Sequence, residues 1–190
     1  LYRLAWCYLQ LNKQPLAMPL LFELLDLSQD VAASTSSNRV EFKREAIENL
    51  AQIFSDRDWD QNEINDPEWG VERAFRILDE RGKLINARDG TKGKKVPFEK
   101  EILMRYAEIL DKNYGDFYSW QQAVKVYERY IDSYCGAEDQ PTVHSLMLGV
   151  LQKAIFQGSP PSFADDGESA ADFERRKRDF PIQQEALKKV

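Results

Sequence analysis

The chain has 190 residues, 43% hydrophobic and 31% charged, with a formal net charge of −6. That balance is soluble and rich in helix formers, and its acidity argues against a protein whose main task is coating nucleic acid. No apolar run reaches the length of a membrane span, because Pro19 and Glu23 interrupt the longest one, Met18 to Leu25.

In chain order, Tyr2 to Ser28 reads as two amphipathic helices joined by a turn near Asn12–Pro15. Leu4, Ala5, Tyr8 and Leu11 fall at helical spacing, as do Ala17, Leu21, Leu24 and Leu25. A polar linker from Gln29 to Asn38 leads to a third helix, about Arg39 to Ser55, with Val40, Phe42, Ile47, Leu50, Ala51 and Phe54 as its apolar residues. An acidic loop, DRDWDQNEIND, follows. Asp66–Pro67–Glu68 then has the makings of a helix start, with Asp as N-cap and Pro at the first position. The fourth helix is expected to end at Gly82, and Lys83 to Val96 to form a solvated connector holding INARDGTKGKK. A fifth helix from Pro97 carries Ile102, Leu103, Tyr106, Ala107 and Leu110. A sixth runs from Trp120 to Tyr134, and a seventh from Pro141 to Phe156. In the last stretch, 159–190, Ser169 and Asp172 form a weak capping box for a short helix that Pro181 should break. No strand-like alternation occurs, so the expected class is all-α, with about seven or eight helices. Leu1 lies already inside a helical pattern, so the chain is read as a piece of a longer protein.

A recurrence links the helix pairs. Leu4–Ala5, Leu50–Ala51 and Tyr106–Ala107 are each a large residue before a small one, followed three residues later by Tyr8, Phe54 or Leu110. In the second helix of each pair an alanine precedes a bulky residue by four: Ala17–Leu21, Ala74–Leu78, Ala123–Tyr127. Small side chains at matched places let helix backbones approach closely. The pattern resembles the tetratricopeptide repeat, a helix–turn–helix unit of about 34 residues. The first pair has the family's spacing, with Ala5 and Ala17 separated by 12 residues. The others depart from it, at 23 residues for Ala51–Ala74 and 16 for Ala107–Ala123. The family's first-helix Gly and terminal Pro are also missing.

The resemblance implies a right-handed α-superhelix over 1–158, with pairs at about 2–28, 39–82 and 97–135 and an extra helix at 141–157. It implies a non-catalytic scaffold without cofactor that docks a peptide or helix of a protein partner along its first helices. Carried onto this sequence, the partner-facing residues are Tyr2, Arg3, Trp6, Leu9 and Gln10; then Glu45, Glu48, Asn49 and Gln52; then Glu101, Met104, Arg105 and Glu108. The chain is also similar to divergent tetratricopeptide proteins of bacterial cell envelopes. That likeness implies a place in the periplasm or envelope, within a larger assembly. Self-association through the N-terminal helix pair is an alternative. So is packing of Tyr2 and Trp6 against a preceding repeat.

Other constellations bear on chemistry. Asp56, Asp58, Asp60 and Asn62 alternate like the opening of a calcium loop, but Gln61 replaces its Gly and Pro67 its bidentate Glu. The same acids, with Glu63 and Glu68, are the candidates for an alternative reading as a carbohydrate-active or metal-assisted enzyme. His144 is the only histidine, which leaves no Ser–His–Asp arrangement to argue. ARDGTKGKK falls short of a phosphate loop, because Arg88 stands at its first Gly and Lys95 at its Ser/Thr. Lys92, Lys94 and Lys95, and Arg175, Arg176, Lys177 and Arg178, read as solvated charge. Cys7 and Cys135 share no metal-ligand spacing and are read as two buried, unpaired thiols, with a disulfide in an oxidising compartment as the alternative.

Overall fold

A computed structural model of the chain describes residues 1–29, 37–56, 70–93, 95–134, 136, 140–162 and 169–189. The described residues form eight α-helices and no strand. These are α1 (Tyr2–Gln10), α2 (Gln14–Gln29), α3 (Ser37–Ser55), α4 (Val71–Asp89), α5 (Glu99–Ile109), α6 (Phe117–Tyr134), α7 (Gln140–Phe156) and α8 (Ala170–Leu187). The all-α expectation therefore holds. The chain divides into two compact units, and it passes from the first to the second within α5, between Tyr106 and Ala107.

In the first unit, α1 and α2 form the expected hairpin. Its turn is closed by Asn12, whose φ of 56° is left-handed, a region that Asn tolerates better than most residues. The amides of Asn12 and Lys13 donate to the carbonyls of Leu9 and Tyr8 at 3.0 and 2.8 Å, so the end of α1 is capped by backbone alone. Ala5 and Ala17 are buried in this hairpin, and Ala51 and Ala74 are buried in α3 and α4. Around them Leu21, Leu25, Leu50, Phe54 and Leu78 make a core with no more than 1% exposure each.

Side-chain pairs give α3 and α5 a common direction. Lys43 reaches Glu101 at 3.8 Å and lies 3.9 Å above the Phe98 ring, Glu48 takes Arg105, and Phe54 meets Tyr106 edge-on at 5.9 Å. Residue numbers rise together along both helices. Asp26 of α2 binds Arg81, and also Arg88 at 3.6 Å, which ties α2 to α4. Arg73, buried at the start of α4, donates to the carbonyl of Asp56 at 2.7 Å and joins it to the end of α3.

The second unit is built on α6 and α7. Beyond α5 the coil widens to a π-helical segment, Leu110–Tyr114, which Gly115 ends with φ 62°. Asp111 in that segment takes the Lys153 ammonium of α7 at 2.6 and 2.8 Å. Asp116 caps α6 by accepting the Ser119 amide at 2.7 Å, so α6 starts three residues before Trp120. Ala107, Ala123 and Ala154 are fully buried here.

Three expectations need correction. The fourth helix does not stop at Gly82. It runs on to Asp89 and ends at Gly90, whose φ is 66°. A mid-helix glycine costs about 1 kcal/mol relative to alanine. Here Arg81 and Arg88 grip Asp26 from either side of Gly82, and Ile85 is buried just after it. The connector thus loses its first half to helix. Nor does Pro181 break the last helix, because α8 is continuous over 18 residues. The cost of about 3 kcal/mol for an interior proline is offset by Phe180 and Leu187, both buried. Phe180 packs on Phe117 with ring centroids 4.7 Å apart, and Gln184 donates to the Ile155 carbonyl of α7 at 2.8 Å. The Ser169 cap is as expected, its hydroxyl accepting the Asp172 amide at 3.1 Å. Finally, α4 begins at Val71 behind Gly70, so Asp66–Pro67–Glu68 does not start it and lies outside the described residues.

Candidate partner-binding face

The candidate residues of the first unit lie on α1, α3 and α5, and helical periodicity explains their placement. On α3, Ala46, Leu50, Ala51 and Phe54 are buried, which leaves Phe42, Glu45, Asn49 and Gln52 on the opposite side. On α5, Ile102, Leu103 and Tyr106 are buried, and Glu101, Met104 and Arg105 point away from them.

The structure joins several of these residues to one another. The ring of Tyr2 packs on Phe42 at 4.8 Å, and its hydroxyl is acted on by the Glu45 carboxylate. Glu48 receives a two-pronged contact from Arg105, through Nε to Oε2 and through Nη2 to Oε1, the latter at 2.6 Å. Asn49 donates to the carbonyl of Glu45 at 2.8 Å. Glu101 is engaged by Lys43. Expected partner-binding charges are therefore already paired within the molecule, in a bidentate geometry that suits guanidinium and carboxylate. Trp6 is 47% exposed, and Arg3, Gln10 and Gln52 are exposed beside half-buried Leu9 and Met104. Glu108 belongs to the second unit, where its charge, with that of Asp111, acts on Tyr127.

Two residues escaped the sequence reading. Phe42 is one of the apolar residues of the third helix, yet it is 37% exposed and packs on Tyr2. Its spacing sets it at the border of the two faces, three residues from outward Glu45 and four from buried Ala46. Lys43 links α3 to both Phe98 and Glu101, and nothing in sequence separated it from solvated charge.

The hydrogen bond to Glu45, then burial, then the charges of Glu45 and Glu41 push the Tyr2 hydroxyl from 10.0 up to about 12. Tyr127 also rises to about 12, through burial first and the Asp111 and Glu108 charges next. A raised pKa means that the folded chain keeps a proton which the unfolded chain loses. The stabilisation from Tyr2 is therefore complete below pH 10.0 and is lost as pH climbs to about 12. A difference titration of phenolate absorbance between the wild type and Tyr2→Phe should show a group ionising near 12, and Glu45→Gln should bring it back toward 10.0. A midpoint near 10.0 in the wild type contradicts the Tyr2–Glu45 bond.

Asp56 accepts a hydrogen bond from Gln14 at 2.6 Å. The other candidate cation ligands, Asp58, Asp60 and Asn62, lie outside the described residues, as do Glu63, Glu68, Lys94 and Cys135. Cys7 is exposed, which corrects its reading as a buried thiol. Among the described residues no group of three His, Cys, Asp or Glu could hold a metal ion, and no helix is long and apolar enough to cross a membrane. No protein-family model matches the chain, and neither does a curated protein or a solved structure.

Proposed function

We propose that this chain is a non-catalytic scaffold of tetratricopeptide type, a right-handed stack of helix pairs that docks a helix or peptide of a protein partner. The observation that carries the proposal is the shared direction of α3 and α5, tied by Lys43–Glu101 and Glu48–Arg105, with outward side chains repeating at helical spacing. Parallel first helices present their side chains in register, as a surface that captures an extended or helical segment needs. The six alanines of the recurrence are buried in their own units, at 1% exposure or less, which fits close helix crossings. Glu48 and Arg105 hold the face together, and Trp6, Arg3, Gln10, Gln52 and Met104 meet the partner. The place of the scaffold is a larger assembly, of bacterial-envelope kind by the resemblance noted above.

The test uses a displayed library of amphipathic helical peptides selected against the chain. Peptides bound by the wild type should lose at least about 10-fold in affinity on Trp6→Ala, because exposed tryptophans are the commonest source of interface energy. The melting temperature of Trp6→Ala should stay unchanged, since the side chain is half in solvent. Binding indifferent to Trp6→Ala, Arg3→Ala and Gln52→Ala together rules the face out. A hydrolytic activity abolished by Asp58→Asn with Asp60→Asn would overturn the scaffold reading in favour of an enzyme.

A further inference from the structure

Three glutamates lie along the outward side of α3. At 100° per residue, Glu41, Glu45 and Glu48 fall within about 60° of one another, opposite buried Leu50. Arg105 engages Glu48, and Lys43 engages Glu101 of α5. Glu41 and Glu45 differ from these, because among the described residues neither forms an ion pair. Both instead act on Tyr2, whose hydroxyl they hold protonated up to about 12. The Tyr2 ring packs on Phe42, which adjoins Glu41 in sequence and lies one turn from Glu45. Two half-exposed rings and two carboxylates therefore share one spot, where α1 meets α3. Like charges four residues apart on a helix destabilise it, so a cation held between Glu41 and Glu45 relieves a repulsion that the fold leaves standing. Arg3 and Arg44 are exposed nearby but turned aside. Arg3 lies about 100° round α1 from Tyr2, and Arg44 lies about 60° or more round α3 from each carboxylate.

We infer that this spot seats arginine side chains of a basic helical segment, between Glu41 and Glu45 and against the Tyr2 and Phe42 rings. That segment is the partner of the scaffold proposed above and has no place without it. The chemistry favours arginine. A guanidinium lays its flat face on an aromatic ring while its edge donates in a fork to a carboxylate. Glu41 and Glu45 stand about 6 Å apart along the axis of α3, which matches two arginines one turn apart on a helix lying beside it. An acidic segment meets repulsion from both glutamates and is excluded. The field of the whole chain acts in the same sense, since a net charge of −6 draws a basic segment in from a distance.

The experiment selects the displayed library of amphipathic helical peptides against the 190-residue chain and reads the charge of the peptides retained. The wild type should enrich peptides with arginines one turn apart. Their affinity should fall about 5-fold or more on Glu41→Gln with Glu45→Gln, as two part-exposed charge pairs are lost. Glu23→Gln with Glu174→Gln removes the same net charge from exposed positions away from the face and should leave the affinity unchanged, which separates the spot from the general acidity of the chain. Selection against Glu41→Lys with Glu45→Lys should turn the retained peptides acidic. Glutamine keeps the shape of glutamate, and Glu41→Gln alone, at an exposed position, serves if the double variant misfolds. Wild-type peptides without cation enrichment overturn the inference. So does a cation enrichment that a folded Glu41/Glu45 variant leaves unchanged. Peptides that depend on Trp6 but show no preference for arginine leave the scaffold reading standing and this inference overturned, whereas a library from which nothing binds overturns both.

Discussion

Phe54→Ala is expected to remove about 3–5 kcal/mol of stability, the usual cost of emptying a buried aromatic site. Phe54 is 1% exposed and meets Tyr106, itself fully buried, edge-on at 5.9 Å. Its loss leaves a cavity where α3 and α5 touch. A typical domain has a margin of about 5–15 kcal/mol, so the loss is a large part of the total. Denaturant titration followed by far-ultraviolet circular dichroism measures it. A loss under about 1 kcal/mol would mean that the ring is not packed as described. Arg105→Ala should cost far less, because both members of its ion pair are more than a third exposed and water screens them.

The second large effect belongs to Gly158, just beyond α7. A Cβ at this position would clash with the Ala154 carbonyl oxygen and stand 2.7 Å from Cδ2 of Phe117. The carbonyl belongs to the last turn of α7, and the Gly158 amide is bonded to the Lys153 carbonyl at 3.1 Å, so the backbone has little room to retreat. Movement of Phe117 disturbs its contact with Phe180 and hence the seat of α8. Gly158→Ala is expected to cost about 1–3 kcal/mol as overpacking. Hydrogen exchange should show the loss in α7 and α8. Gly149→Ala is the control. It meets nothing within 4 Å and lies within α7, where replacing glycine should gain about 0.5–1 kcal/mol. Equal effects at the two glycines would refute the steric account.

The existence and the inward faces of most helices were legible from residue spacing, because burial of one side imposes a 3.6-residue period on any helix. That is why the six recurring alanines, and Leu21, Leu50, Leu78, Leu103 and Val124, are all inside. Helix ends were less legible. Gly82 and Pro181 are local stop signals worth about 1 and about 3 kcal/mol, and packing elsewhere on the same helix outweighed both. The candidate face was half legible. The resemblance to the tetratricopeptide repeat singled out Tyr2, Glu45, Glu48 and Arg105, but nothing in the sequence showed that Tyr2 meets Glu45 or that Arg105 bonds Glu48. Partners distant in sequence leave no periodic trace.

By itself, the sequence determined an all-helical chain whose recurring small residues are buried, because helical period and side-chain volume are properties of neighbouring residues. Only the tertiary structure decided where α4 ends, that α8 runs through a proline, and which charges of the face are engaged within the molecule. Those outcomes depend on groups such as Asp26, Phe117 and Arg105, each brought from a remote part of the chain to tip a local balance of a few kcal/mol.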